Sequence, residues 1–326
     1  MPYSLGRRTF VTSAASTLLV DQAKAQARPG VIRGRDNWLF MQWDDPAQVS
    51  LTSLPRVSGL LRDAAVMLRE KAIEVGFIVV PSKFRIFRDM LPPGQVFPDS
   101  AEQRLGAVLE ELRRANLLAP DLAAPMLAQR RTSSQENLFF KADTHWTPAG
   151  AAVAAAEVNR QIRASLRLPP SLAPGVRLGP IVTQTRLRRD LVEFLPPADR
   201  IAFLPEPYRI RPPVAMRGAL LDAPASDVII LGNSFMAPEF NFNNELSALL
   251  ERPIALDWKV GSVAIFKVLL EYLNGQLFRR ERPRLILLAM LENVFTINPE
   301  NRGAYPESNM TGAAFLDGMR QAAARI

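Results

Sequence analysis

Three apolar runs dominate what this chain can fold into: Phe77 to Pro81 (FIVVP), Val228 to Leu231 (VIIL) and Leu285 to Met290 (LILLAM). None alternates with polar residues, so none has a face to show to water. Strands of that kind lie in the middle of a parallel sheet with helices covering both sides. The segments between them have helical spacing. Pro55 to Gly76 places Leu60, Leu61, Ala64, Ala65, Leu68 and Ala72 on one stripe, with Gly76 as the expected stop. Residues 101 to 116 repeat the period through Leu105, Val108, Leu109 and Leu112. A third helix is expected from Thr147, a cap followed by Pro148 at the first helical position, to about Leu166. Glu239 to Leu250 and Val263 to Leu277 complete the set, with Ile254 to Trp258 as a further strand and Gly34 to Met41 (GRDNWLFM) as a turn leading into a short one. Strands alternating with helices predict a three-layer α/β fold around a mostly parallel sheet.

Two stretches stand outside this rhythm. Eleven of the 27 prolines fall between Pro169 and Pro224, so residues 168 to 226 read as a long irregular insertion, a lid or a linker. At the amino terminus, Arg7-Arg8-Thr9-Phe10-Val11 precedes a mildly apolar stretch from Thr12 to Val20 and then Ala25-Gln26-Ala27. That order has the form of a twin-arginine export signal with a cleavage site before Arg28, and it predicts a periplasmic protein. The expected organisation is an export signal over 1–27, either cleaved or kept as an anchor, and one domain over 28–326.

Composition narrows the chemistry. The chain of 326 residues has no cysteine and a single histidine, His145. Thiol catalysis, thiolate metal sites and multi-histidine zinc sites are thereby excluded. Acid–base work near neutral pH by an unperturbed side chain falls to His145 alone. The net charge of +8 comes from arginines scattered along the sequence. It marks no nucleic-acid footprint, although a positive surface suits an anionic polymer.

Two motifs carry reactive groups. Asp227 to Phe235 runs an apolar strand straight into Gly232-Asn233-Ser234, with a helix expected after Pro238. A serine at such a turn sits exposed at the sheet edge beside backbone N–H groups able to hold an oxyanion; Gly232 is expected to permit the tight turn. A serine there can equally be a helix cap. The second motif is Lys141-Ala-Asp-Thr-His-Trp-Thr-Pro148. If it is extended, Asp143 and His145 point to the same side, and the carboxylate can fix the imidazole tautomer that accepts a proton from serine. A histidine serving only the helix start is the alternative.

In Gly34 to Phe40 (GRDNWLF), Val80 to Lys83 (VPSK), Asp143 to Trp146 (DTHW), and Gly232 to Phe235 (GNSF) followed by Asn241-Phe242, the sequence resembles the AlgX/AlgJ-like branch of the SGNH hydrolase superfamily. Its best-known members O-acetylate alginate in the bacterial periplasm. The resemblance implies a triad of Asp143, His145 and Ser234, in an order circularly permuted relative to ordinary SGNH enzymes. It implies no metal and no cofactor, a polysaccharide acceptor, and an AlgI-like membrane-bound acyltransferase as the source of acetyl groups. Gly232, Asn233, Lys83, Asn241 and Trp146 are candidates for substrate or oxyanion contacts, the glycine by letting substrate approach closely, and the side chains each also readable as a cap, a solvated group or core. Arg85 and Arg88 read as a basic rim or a solvated face. A polysaccharide deacetylase of the same fold, and a non-catalytic component of an export complex, remain as alternatives.

Overall fold

The computed structural model describes residues 30–132, 136–171, 173–214, 226–261, 263–281 and 283–326. The export signal expected over 1–27 lies outside them. The strands are β1 (Val31–Arg33), β2 (Leu39–Met41), β3 (Glu74–Val80), β4 (Val182–Arg186), β5 (Glu206–Ile210), β6 (Val228–Gly232), β7 (Ile254–Trp258) and β8 (Leu285–Leu291). The helices are α1 (Leu54–Arg69), α2 (Lys83–Ile86), α3 (Asp99–Arg114), α4 (Ala123–Thr132), α5 (Pro148–Ser165), α6 (Phe242–Leu250), α7 (Ile265–Asn274), α8 (Gln276–Glu281) and α9 (Gly312–Ala323).

The central sheet has the order β3-β8-β6-β7 with every pairing parallel. All seven residues of β8 and all five of β6 are buried, which is why neither run could afford a polar residue. Helices α1, α3, α5, α6, α7 and α9 bury their apolar stripes against this sheet and one another, giving one continuous core. The fold is the expected three-layer α/β arrangement around a mostly parallel sheet. Among the described residues, no helix is long and apolar enough to cross a membrane.

Two details depart from expectation. Helix α1 stops at Arg69, and the chain reverses through Ala72 at φ 58°. Gly76 is no stop: it lies inside β3, where an added Cβ would sit 2.9 Å from Leu118 Cδ2 and 3.0 Å from Leu287 Cδ2. The proline-rich insertion is less irregular than its composition suggests. It folds β4 against β5 as an antiparallel hairpin in register from Val182 opposite Ile210 to Arg186 opposite Glu206. Short 3-10 turns at Asp190–Phe194 and Pro197–Ala202 fill the connection.

Candidate functional site

In parallel sheets the carboxyl ends of neighbouring strands open onto a common crevice. Here β6 ends at Gly232 and delivers Asn233 and Ser234, while its neighbour β8 ends at Leu291 and delivers Glu292. Gly232 is demanded by packing rather than by turn geometry. It has no left-handed φ, and a Cβ there would meet Met236 Cγ at 2.6 Å and the Ala289 carbonyl oxygen at 2.9 Å. The chain then enters a 3-10 turn, Ser234–Met236, with Asn233 as its cap; Asn233 Oδ1 accepts the Phe235 N–H at 3.1 Å. That leaves the Asn233 amide N–H groups as the part of the side chain that can still donate.

The loop 141–146 meets this turn from the other side. It is bent, not extended, and an Asx turn makes the Asp143–His145 pair: Asp143 Oδ1 accepts both the His145 backbone N–H at 3.0 Å and Nδ1–H at 2.6 Å. Nε2 of the same ring is 2.8 Å from Ser234 Oγ. Since Nδ1 donates to a carboxylate, Nε2 is the lone-pair nitrogen facing the hydroxyl. The imidazole is held between two rings of the serine's own loop, Phe235 at 4.9 Å and Phe240 stacked at 5.0 Å and 22°. Ser234 is half-buried, so the hydroxyl is reachable while the imidazole and Asp143 are enclosed.

Three side chains that the sequence did not single out complete the surroundings. Arg186, at the end of β4, donates Nε–H and Nη2–H to Asp143 Oδ2 at 3.0 and 2.8 Å and pairs with Glu239 through Nη1. Asp190 accepts the Thr144 N–H at 2.7 Å and brings its other oxygen to 3.6 Å from His145 Nδ1. Glu206 accepts the N–H groups of Lys141 and Ala142 at 2.8 and 2.9 Å. Burial raises the Asp143 carboxyl, but hydrogen bonds and charge from His145, then the charge of Arg186, outweigh it and hold the group well below the usual carboxylate range. Asp190 is raised, first by burial and then by the charge of Asp143. Asp143, His145 and Asp190 bring ligand-type atoms within 4.8 Å of one another. Yet Asp143 is already committed to Nδ1 and to a guanidinium, a poor arrangement for a cation.

Three expected substrate contacts are corrected by burial. Lys83 is 5% exposed, and its ammonium donates to the carbonyls of Leu39 at 2.6 Å, Lys141 at 2.9 Å and Asp143 at 3.0 Å. All three protons are spent on the protein. Asn241 is buried in the left-handed conformation at φ 65° and holds the Arg211 carbonyl, Glu245 and Asn244. Trp146 is fully buried, stacked on Phe242 at 5.5 Å, with Nε1–H on the Phe235 carbonyl at 2.9 Å. Arg85 is no rim either: it lies buried on Glu292 and the Ala101 carbonyl, whereas Arg88 is exposed beside Glu102.

A cavity of about 540 Å³ opens between this loop and the β4–β5 hairpin, lined by Phe140, Lys141, Thr147, Thr183, Tyr208 and Arg209 among others. Phe140 touches Phe240, the ring stacked on His145, at 6.4 Å.

Comparison with known proteins identifies the family. Residues 31–291 match the family model described as "SGNH hydrolase-like domain, acetyltransferase AlgX". The chain is 28% identical over 274 residues to the probable alginate O-acetylase AlgJ of Pseudomonas putida, covering 80% of this chain and 69% of that one. It is 22% identical over 267 residues to the alginate biosynthesis protein AlgX of Pseudomonas aeruginosa, covering 79% and 54%. Among solved structures, the O-acetyltransferase domain of Pseudomonas putida AlgJ superposes with a TM-score of 0.67 at 24% identity, over 90% of this chain and all of that domain, a likeness of fold. A chain matched by that model over most of its length, with the motif-bearing loops closed on each other, belongs to the AlgX family of SGNH hydrolase-like acetyltransferases.

Proposed function

We propose that this protein is a periplasmic O-acetyltransferase that modifies hydroxyl groups of an alginate-like exopolysaccharide through an acetylated Ser234. One observation carries the reading: Ser234 Oγ, His145 Nε2, His145 Nδ1 and Asp143 Oδ1 form an unbroken hydrogen-bonded chain with spacings of 2.8 and 2.6 Å. Membership of an acetyltransferase family supports the choice of acyl group, and the names of the AlgJ and AlgX relatives support the choice of polymer.

In this mechanism His145 takes the Ser234 proton as the oxygen attacks the carbonyl carbon of an acetyl donor. Asp143 holds the imidazole in the required tautomer and stabilises the imidazolium that forms. The tetrahedral intermediate collapses, the donor's alkoxide leaves with the proton from His145, and Ser234 carries the acetyl ester. A sugar hydroxyl then gives its proton to His145, attacks the ester and departs acetylated, regenerating the serine. The basic excess favours a uronic-acid polymer. The twin-arginine-like amino terminus supports export, and a membrane-bound acyltransferase is the proposed source of acetyl groups outside the cytoplasm.

The test uses p-nitrophenyl acetate as donor and alginate oligosaccharides as acceptor. The expected results are a 42-Da adduct on Ser234 in the intact mass and acetylated oligosaccharide, both lost on Ser234→Ala. Loss of turnover on the order of a million-fold is expected for that variant and for His145→Ala. Wild-type turnover in Ser234→Ala ends the proposal; acetyl-enzyme that passes its group only to water makes the protein an esterase instead.

A further inference from the structure

Among the described residues, the proline-rich insertion contributes no strand to the central sheet. It nevertheless places three ionisable side chains on four consecutive residues of the loop that carries Asp143 and His145. Glu206 takes the N–H groups of Lys141 and Ala142, Arg186 takes the Asp143 carboxylate, and Asp190 takes the Thr144 N–H. From beneath, Lys83 takes the carbonyls of Lys141 and Asp143.

We infer that Arg186 and Asp190 are positioning residues of opposite charge, through which the insertion orients the Asp143–His145 pair and balances the field around the imidazolium formed during transfer. Two features of the geometry lead there. Arg186 reaches Asp143 with two N–H groups on the same oxygen, Oδ2, which leaves Oδ1 to His145. A carboxylate so held cannot rotate away from the imidazole. The same contact also offsets much of the negative charge that Asp143 presents to an imidazolium. Asp190 restores it, because its second oxygen lies 3.6 Å from the same Nδ1. Two carboxylates and one guanidinium thus crowd one edge of the ring, where each acts on the positive charge that His145 gains as it takes the serine proton. The remaining charged groups are Lys83 below the loop, Glu206 on its N–H groups, and Glu239, which is half-exposed and reaches the site only through Arg186.

This inference rests on His145 being the base in the proposed mechanism, yet it can be tested without turnover. His145 is the only histidine in the chain, so a tag-free sample gives one imidazole Cε1–H signal to follow by NMR against pH. Asp190→Asn keeps an acceptor for the Thr144 N–H and removes only charge. The midpoint of the titration is expected to move to lower pH than in the parent, by about one unit. Arg186→Gln removes the opposing charge and is expected to move it to higher pH, and kcat for p-nitrophenyl acetate falls in both. Thermal unfolding confirms that the variants are folded. The acid limb of kcat/KM is expected to track the NMR midpoint in each. Opposite displacements support the assignment; titration curves that coincide with the parent's, or that move the same way, overturn it. Loss of the proposed acetyltransfer reading would show separately, as an active Ser234→Ala.

Discussion

The indole N–H of Trp146 donates to the carbonyl oxygen of Phe235 at 2.9 Å, tying the residue after the histidine to the residue after the serine. It runs parallel to the His145–Ser234 contact, one residue further along in each loop. The two loops come from opposite halves of the chain and share no strand pairing, so a buried hydrogen bond between them fixes their separation. Trp146→Phe keeps the ring stacked on Phe242 but leaves the Phe235 carbonyl without this donor. A loss of about 1–3 kcal/mol in urea unfolding is expected, with a larger proportional fall in kcat than in ester KM.

Asp143→Asn should preserve the fold and remove activity. Asparagine can still meet Nδ1, but its amide can donate there and stabilise the wrong tautomer, and a drop of about ten-thousand-fold in kcat is expected. The pH dependence has a definite sign. The folded-state pKa of Asp143 is depressed, so its contribution to stability is present above the unfolded value of about 3.9 and is lost as pH falls. Acid unfolding curves of wild type and Asp143→Asn should therefore converge below about pH 4.

Lys83 gives the same sign of pH dependence, in a higher window. Burial pulls its ammonium down to about 7, partly opposed by the charges of Glu206, Asp143 and Asp190. Between there and the unfolded value of about 10.4, the unfolded chain binds more protons than the native one, so the native state gains as pH rises through that window. Urea unfolding at pH 6, 7.5 and 9 should show wild type gaining on Lys83→Met with each step. The same variant is expected to lower kcat, because the Lys141 and Asp143 carbonyls lose the group that holds the loop.

Glu292 anchors a buried ionic cluster at the end of β8, where Arg85 and Arg104 both reach it and Arg104 continues to Asp44. Glu292→Gln leaves two guanidinium groups short of charge in a site where Glu292 itself is fully buried. A destabilisation of about 3–5 kcal/mol is expected in thermal or urea unfolding.

The α/β core was legible because parallel strands buried on both faces cannot hide their composition, and Ile254–Trp258 was delimited to the residue. The pairing of His145 with Asp143 was legible because the one histidine of the chain has an aspartate two residues before it, although the Asx turn that produces the contact was not. Position near a motif, however, does not say which way a side chain faces. Lys83, Asn241 and Trp146 lie in the right segments yet face inward, so their substrate roles failed on burial. Arg186 and Asp190 left no signal at all. They stand in the run Arg186-Leu187-Arg188-Arg189-Asp190, where only the register of the β4–β5 hairpin selects the arginine that turns inward. Gly76 was read as a helix stop and Gly232 as a turn glycine; both instead leave room for atoms of neighbouring residues.

The hairpin that grips the Asp143–His145 loop lies outside the central sheet, and this separates two ways in which the protein can fail. Heat or denaturant that peels the hairpin away would silence the enzyme while the layered core stayed intact, so inactivation should precede the main unfolding transition and reverse on cooling. An inhibitor that wedges between hairpin and loop could disarm the protein without ever touching its nucleophile.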